Sequence, residues 1–219
     1  MSDMTTQDAA VTVESADGRG KIELIAAILL GLAGLLTAYA AYYGGLAGGD
    51  AVKGYAEATI SRNEANSFYA DYGTKVAQDT NVFLQYQILV EKGDDDAANV
   101  VRDRLFSPEL ETAYVVWNEL SGDADVPTPM DTDAYVVEEF GSYQQQFDLS
   151  TQQFNDAAAT DDLGDNMDLA SIFLAVSLFF AGIAALFKIN KLSYSLLVGS
   201  AVLISPGCWA IAKGKGWIS

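Results

Sequence analysis

Carboxylates, tyrosines and a few lysines are the residue types in this chain able to carry chemistry. Its 219 residues include 30 Asp or Glu against 12 Lys or Arg, with 11 Tyr, one Cys and no His. Without histidine the usual zinc sites and histidine-based triads are excluded. The single Cys208 lies in an apolar run and cannot form a disulfide within one chain. The carboxylates cluster at residues 94–96, at Glu138 and Glu139, and at Asp161, Asp162 and Asp165. A hard cation such as calcium binds clustered carboxylates, but none of these has the spacing of a calcium loop, and solvation of an acidic surface accounts for each. There is no phosphate loop, dinucleotide fingerprint, G-x-S-x-G or H-E-x-x-H. The expectation is therefore a non-enzymatic protein without a cofactor. One stretch stands apart: "FYADYGTK", residues 68–75, places three aromatics and a lysine in eight residues of a lysine-poor chain. Tyr69, Tyr72 and Lys75 are its candidates for an interaction surface.

Helices must position these side chains. Residues 51–91 contain no proline and only two glycines, Gly54 and Gly73. Within them Ile60, Phe68, Tyr72, Val76, Phe83 and Val90 recur at multiples near 3.6, which predicts one long amphipathic helix. Phe68 and Tyr72 fall on that stripe. Tyr69 and Lys75 lie off it, free to face a neighbouring subunit or lipid headgroups. "EKGDDDAAN" stops the helix, and Ser107, Pro108 and Glu109 then supply a cap, a first-position proline and first-turn acid for another running to about Leu120. Residues 121–133 read as a loop from their Gly, Pro and Asp content. From Ala134 a second long helix carries Phe140, Tyr143, Phe147 and Phe154, a narrow stripe suited to an antiparallel partner.

Three apolar runs frame this acidic middle. Residues 24–43, 169–187 and 192–212 are each long enough, at 1.5 Å per residue, to cross a hydrocarbon core of about 30 Å. The first run is too long for a signal peptide and lacks a clear cleavage site, so it reads as an anchor. The fold class expected is an all-α membrane protein with three transmembrane helices plus an extramembrane antiparallel helical domain. Its segments are a polar tail at 1–21, a first span at 22–43, an acidic helical domain at 44–166, and spans at 167–187 and 192–212 joined by the tight "KINK" turn. The four glycines of "GGLAGGD", residues 44–50, loosen the exit from the first span.

Charge orients this arrangement. Residues 44–166 hold 24 acidic and 6 basic side chains, a net of −18 equal to that of the whole chain. Such a field repels nucleic acid and suits saline surroundings. Placing Arg19, Lys21, Lys188 and Lys191 inside satisfies the positive-inside rule, with Lys213 and Lys215 left outside. The N-terminus is thus expected in the cytoplasm and the acidic domain outside it, in a multi-pass protein of a prokaryotic plasma (inner) membrane. Tyr39, Tyr42, Tyr43, Trp209 and Trp217 would anchor the interfaces.

"NEANSFYADYGTKVAQDTNVFLQYQ" resembles the signature of a family of small prokaryotic membrane proteins known as domain of unknown function 4337. There one span leads through a glycine-rich joint into a helix carrying W-x-x-Y-Q-A-K, and two closely spaced spans follow. Tyr69 stands at the Trp position, Tyr72 at the Tyr and Lys75 at the Lys, while Gly73 and Thr74 replace the Gln-Ala pair. "SIFLAVSLFFAGIAALFKINKLSYSLLVGSAVL" is similar to the family's terminal hairpin. The resemblance covers residues 22–90 and 167–212 and implies topology; the family brings no activity with it.

The spans contain no ionisable group in their interiors, which argues against a proton-coupled transporter. They do carry small residues four apart: Ala27 and Gly31, Gly34 and Ala38, and Ser177, Ala181 and Ala185, a pattern that lets helices approach. Ser193, Ser195, Ser200 and Ser205 are the pore-lining candidates of the third span. The function expected is a structural or accessory subunit, partnered by membrane lipid and by copies of itself or other membrane subunits. An oligomeric ion channel is the alternative, and an extracytoplasmic sensor or binding module a weaker one.

Overall fold

In a computed structural model of the chain, residues 4–120, 126–187 and 190–218 are described, with 4–19 and 190 described by backbone alone. The described residues are helical, without a strand. Five helices follow one another: α1 (Met4–Glu91), α2 (Asp95–Leu105), α3 (Pro108–Glu119), α4 (Glu138–Leu186) and α5 (Asn190–Gly214), with a short 3₁₀ turn at Pro129–Asp131 before α4. Three of them, α1, α4 and α5, contain stretches long and apolar enough to cross a membrane. Lys188 and Ile189 of the expected turn, and residues 121–125 of the expected loop, lie outside the described residues.

The expected glycine joint is not a break. α1 runs through residues 44–50 without interruption, and α4 likewise continues from the acidic segment into the second apolar run. An interior glycine costs a helix only about 1 kcal/mol relative to alanine, and neither segment contains proline, so tertiary contacts decide. At Gly44 those contacts are close: a Cβ there would lie 2.9 Å from Asp168 Oδ1 and 3.3 Å from Met167 Cβ. α4 begins at Glu138 rather than Ala134.

The chain forms two compact units, one from Met1–Tyr55 with Asn155–Ser219 and one from Ala56–Phe154, so α1 and α4 contribute to both. These boundaries differ from those of the apolar runs: about a dozen polar or small residues on each helix pack with the spans.

In the three-helix unit α1 and α4 run in opposite directions, with Gly34 against Leu178, Gly44 against Met167 and Gly54 against Ala157. The buried seam of α1 is alanine every seventh residue: Ala26, Ala33, Ala40 and Ala47. On α4 the buried positions Met167, Ala170, Leu174, Ser177, Ala181 and Ala184 alternate three and four apart, the period of supercoiled helix pairs. Methyl-sized side chains on one helix admit larger ones from the other. Ala40, Met167, Ala170, Leu174, Ala210 and Ile211 form one cluster, and Ile22, Ala26, Ala184 and Leu197 a second. The outward faces stay apolar, with Leu35 75% and Leu186 80% exposed. Large apolar side chains pointing away from protein over three helices need a non-aqueous surrounding.

In the other unit, α1 ends in a turn at Gly93, whose φ of +74° suits glycine. Asp94 then caps α2, its side chain accepting from the Ala97 N–H, with Asp95 and Asp96 in the first turn and Arg102 and Arg104 in the last. This helix was not expected: the carboxylates of residues 94–96 start it. α3 begins as its sequence predicts, with Ser107 as cap and Pro108 at the first position. Phe83, Leu110 and Tyr114 form the core, covered by Tyr86, Phe106 and Trp117.

Candidate functional site

The "FYADYGTK" stretch meets the first turns of α4. Tyr72 packs on Phe140 with ring centroids 5.1 Å apart, and Tyr69 on Tyr143 at 5.2 Å. Along the helices the ladder continues from Phe140 to Tyr143 at 5.8 Å and from Tyr143 to Phe147 at 5.7 Å. The Arg62 guanidinium closes its end, 3.9 Å above the Phe147 ring. Rings three and four residues apart share one helix face, so two short aromatic runs on opposed helices interlock. Each such pair is worth about 0.5–1.5 kcal/mol beyond its buried area.

The ladder lies at a surface, and the narrow aromatic stripe suited to an antiparallel partner is partly exposed: Phe140, Phe147 and Phe154 all show, as do Ile60 and Val90 of α1. The buried positions between are small or polar, including Ala58, Ser61 and Ala65 on α1 and Ser150 on α4. Tyr69 is 55% exposed and forms the ladder's outer edge.

Beside the ladder sits a polar clasp. Lys75 Nζ donates to Glu109 Oε1 at 2.6 Å and lies 3.8 Å from Glu139 Oε2. One turn further on, Asp79 is buried, and its Oδ2 accepts from both Ser107 Oγ and the Tyr135 hydroxyl at 2.8 Å. Ser107 Oγ in turn accepts from the Leu110 N–H at 3.0 Å, so one hydroxyl caps α3 and pins it to α1. Three segments distant in sequence converge on one turn of α1.

Electrostatics follow the geometry. The hydrogen bond and charge of Lys75 hold the Glu109 carboxyl below its ordinary value, while Glu109 raises the Lys75 ammonium. Burial and then the bond to Asp79 push the Tyr135 phenol well up. Burial and the 2.7 Å bond to Tyr86 raise Tyr114 to about 12. These groups stay in their ordinary charge states at neutral pH, which suits holding segments together rather than moving protons.

Lys75 therefore points toward Glu109 and Glu139 of its own unit. Tyr72 is half-buried in the ladder, and of the three candidates Tyr69 offers the most open surface. A shallow groove of about 650 Å³ runs alongside, lined by Tyr72, Tyr135, Glu138, Phe140, Gly141 and Gln144 among others. The sequence reading missed Asp79, Glu109, Tyr135 and Glu139 as a group. Lys75 and Asp79, one turn apart, were a visible pair, but their partners lie 28 to 64 residues away.

In the three-helix unit the small residues divide. Ser177 and Ala181 are buried at the helix contact, with Ala185 partly so and Gly34 placed where a Cβ would meet Leu178 Cδ2 at 3.9 Å. Ala27, Gly31 and Ala38 face outward. Of the serines, Ser193 and Ser200 are buried, and Ser177 and Ser200 share a 2.8 Å hydroxyl contact. Ser195 bonds to the Lys191 carbonyl of its own helix, and Ser205 is exposed. Ser193 and Ser200, seven residues apart, thus share the buried face of α5, while Ser195 and Ser205 are exposed.

Comparison of the chain with family models, with curated proteins and with solved structures finds no match. Its reading rests on its own geometry.

Proposed function

We propose that this protein is a non-catalytic, three-span integral membrane protein that serves as a structural or accessory subunit, in a homo-oligomer or beside a larger membrane complex. The observation that carries the reading is how the reactive side chains are used. Lys75 is tied to Glu109, and Asp79 to Ser107 and Tyr135, while the Tyr69 edge of the aromatic ladder is among the apolar side chains that the Ala56–Phe154 unit turns outward. Exposed tyrosine edges are well suited to protein contacts, since they bring area and a hydroxyl at low entropic cost.

The acidic unit stands outside the membrane, on the extracytoplasmic side of a prokaryotic inner membrane, and the N-terminus inside. Leaving Lys213 and Lys215 on the acidic side is eased locally, because Lys215 lies over the Tyr43 ring and Lys213 shares a groove with Asp162. Outward-facing Ala27 and Gly31 leave one flank of α1 open to another helix.

The test is the mass and composition of the complex extracted gently from native membranes, for wild type and Tyr69→Ala. Association lost in Tyr69→Ala with helicity unchanged supports the reading. An unaltered complex removes Tyr69 as its contact, and a monomer in wild type removes the subunit role.

A further inference from the structure

At one end of the apolar helices, aromatic and basic side chains of α1 and α5 meet. Tyr39, Tyr42 and Tyr43 close the apolar stretch of α1, and Trp209, Lys213, Lys215 and Trp217 close that of α5. Lys215 Nζ sits 3.7 Å above the Tyr43 ring, which fixes the two segments at one level. Tyr42, Trp209 and Trp217 are more than half exposed there. Aromatic rings with one apolar and one wet end concentrate where hydrocarbon meets water.

α5 stops at this level. The Trp217 N–H donates to the Ala212 carbonyl and the Gly216 N–H to that of Lys213, with Gly216 at φ +69°, so the last carbonyls are closed off by the chain itself. Gly214 allows the helix end to lie on α4: a Cβ there would stand 3.2 Å from Met167 Cε and 3.3 Å from Asn166 Cβ. Between the two helices is a groove of about 380 Å³ lined by Ala159, Asp162, Leu163, Asn166, Lys213 and Gly214.

The groove's polar groups have a definite sense. Lys213 brings a cation. Asp162 brings an acceptor-only carboxylate, and Asn166, one of whose two amide N–H groups donates to the Asp162 carbonyl at 2.6 Å, adds its amide oxygen as an acceptor. A cation on one side and acceptors on the other complement an anion joined to a hydrogen-bond donor. A bare anion would meet Asp162 unfavourably, as would a ligand lacking a donor.

We infer that this groove binds a phospholipid headgroup, with the phosphodiester at Lys213 and a hydroxyl- or ammonium-bearing substituent at Asp162 and Asn166. The inference rests on the membrane reading above and adds a specific lipid site to it. Headgroups of the glycerol and ethanolamine type carry the required donors, and choline carries none.

The experiment is native mass spectrometry of the full-length protein in detergent, titrated with phosphatidylglycerol, phosphatidylethanolamine and phosphatidylcholine of identical acyl chains. Glycerol and ethanolamine lipids should be retained about tenfold more than choline, the discrimination expected of one or two hydrogen bonds. Lys213→Gln should lower retention of all three about tenfold, with recovery in Lys213→Arg, and Asp162→Ala should erase the preference over choline. Lys92→Gln, in the other unit, should change nothing. Equal retention of the three lipids, or indifference to Lys213→Gln, overturns the site. So does displacement by millimolar inorganic phosphate, which would make it a free-anion site. Release of the wild-type chain from membranes by alkaline carbonate would instead overturn the membrane reading.

Discussion

Removing the Asp79 carboxylate tests whether the clasp holds the Ala56–Phe154 unit together. Asp79 is 4% exposed and takes two hydrogen bonds on the same oxygen, from Ser107 and from Tyr135. Bonds to a charged acceptor are worth about 1.5–3 kcal/mol each, and in Asp79→Ala both donors are left facing an apolar gap. The expected loss is about 3–5 kcal/mol, short of the simple sum because the hydroxyls can reorient. Asp79→Asn keeps a carbonyl oxygen where Oδ2 stood, losing the charge and placing an amide NH2 where Oδ1 stood, so about 1–2 kcal/mol is expected. Trp117 lies in this core and the chain's other two tryptophans, Trp209 and Trp217, lie in α5 and its end. A Trp209→Phe, Trp217→Phe background therefore makes Trp117 emission during urea unfolding in detergent a local reading. Tyr135→Phe closes a double-mutant cycle, with a coupling of about 1–2 kcal/mol expected. Additive effects within about 0.5 kcal/mol, or an Asn variant as weak as the Ala variant, would refute the reasoning.

Four further outcomes follow from the contacts. Gly54→Ala puts a Cβ 2.9 Å from Ala157 Cβ and should lower the thermal midpoint, whereas Gly45→Ala, with open space around it, should raise stability by up to about 1 kcal/mol; scanning calorimetry of the pair reads opposite signs. Ser177→Ala removes the buried contact to Ser200 and should cost about 0.6–1.7 kcal/mol in detergent unfolding, with Ser195→Ala, on the exposed face, within error of wild type. Because the folded Glu109 carboxyl is held below its ordinary value of 4.5, its contribution is full above that pH and drains away as pH falls through the lower folded value. Glu109→Gln should flatten that acid limb. Tyr135, held high by burial, gives the opposite limb: its contribution is full below pH 10 and falls as pH rises beyond, and Tyr135→Phe should remove that loss.

The ladder and the clasp divide the labour of the "FYADYGTK" stretch. Tyr72 and Lys75 face inward, one to Phe140 and one to Glu109 and Glu139, and so fix where α3 and the start of α4 sit on α1. Tyr69, one residue along from the half-buried Phe68, turns about 100° from it and keeps its edge outside.

Hydropathy and local capping were enough for much of the architecture. Twenty uncharged residues in a row have one economical environment, and Ser107 before Pro108 and Glu109 supplies a cap, a first-position proline and first-turn acid together, so the three apolar helices and α3 were legible without a structure. The seventh-residue alanines at 26, 33, 40 and 47 were equally on the page as a signal for close helix packing, but small residues four apart drew the reading to Ala27 and Gly31, one residue and one face away. Only the tertiary structure decided that the glycines of residues 44–50 stay helical, because their cost is small against contacts to Met167 and Asp168 that no local pattern reveals. It also turned Lys75 inward. A side chain's direction on a helix follows from its number, but whether a carboxylate waits there depends on Glu109 and Glu139, brought back by turns whose geometry is settled by packing at long range.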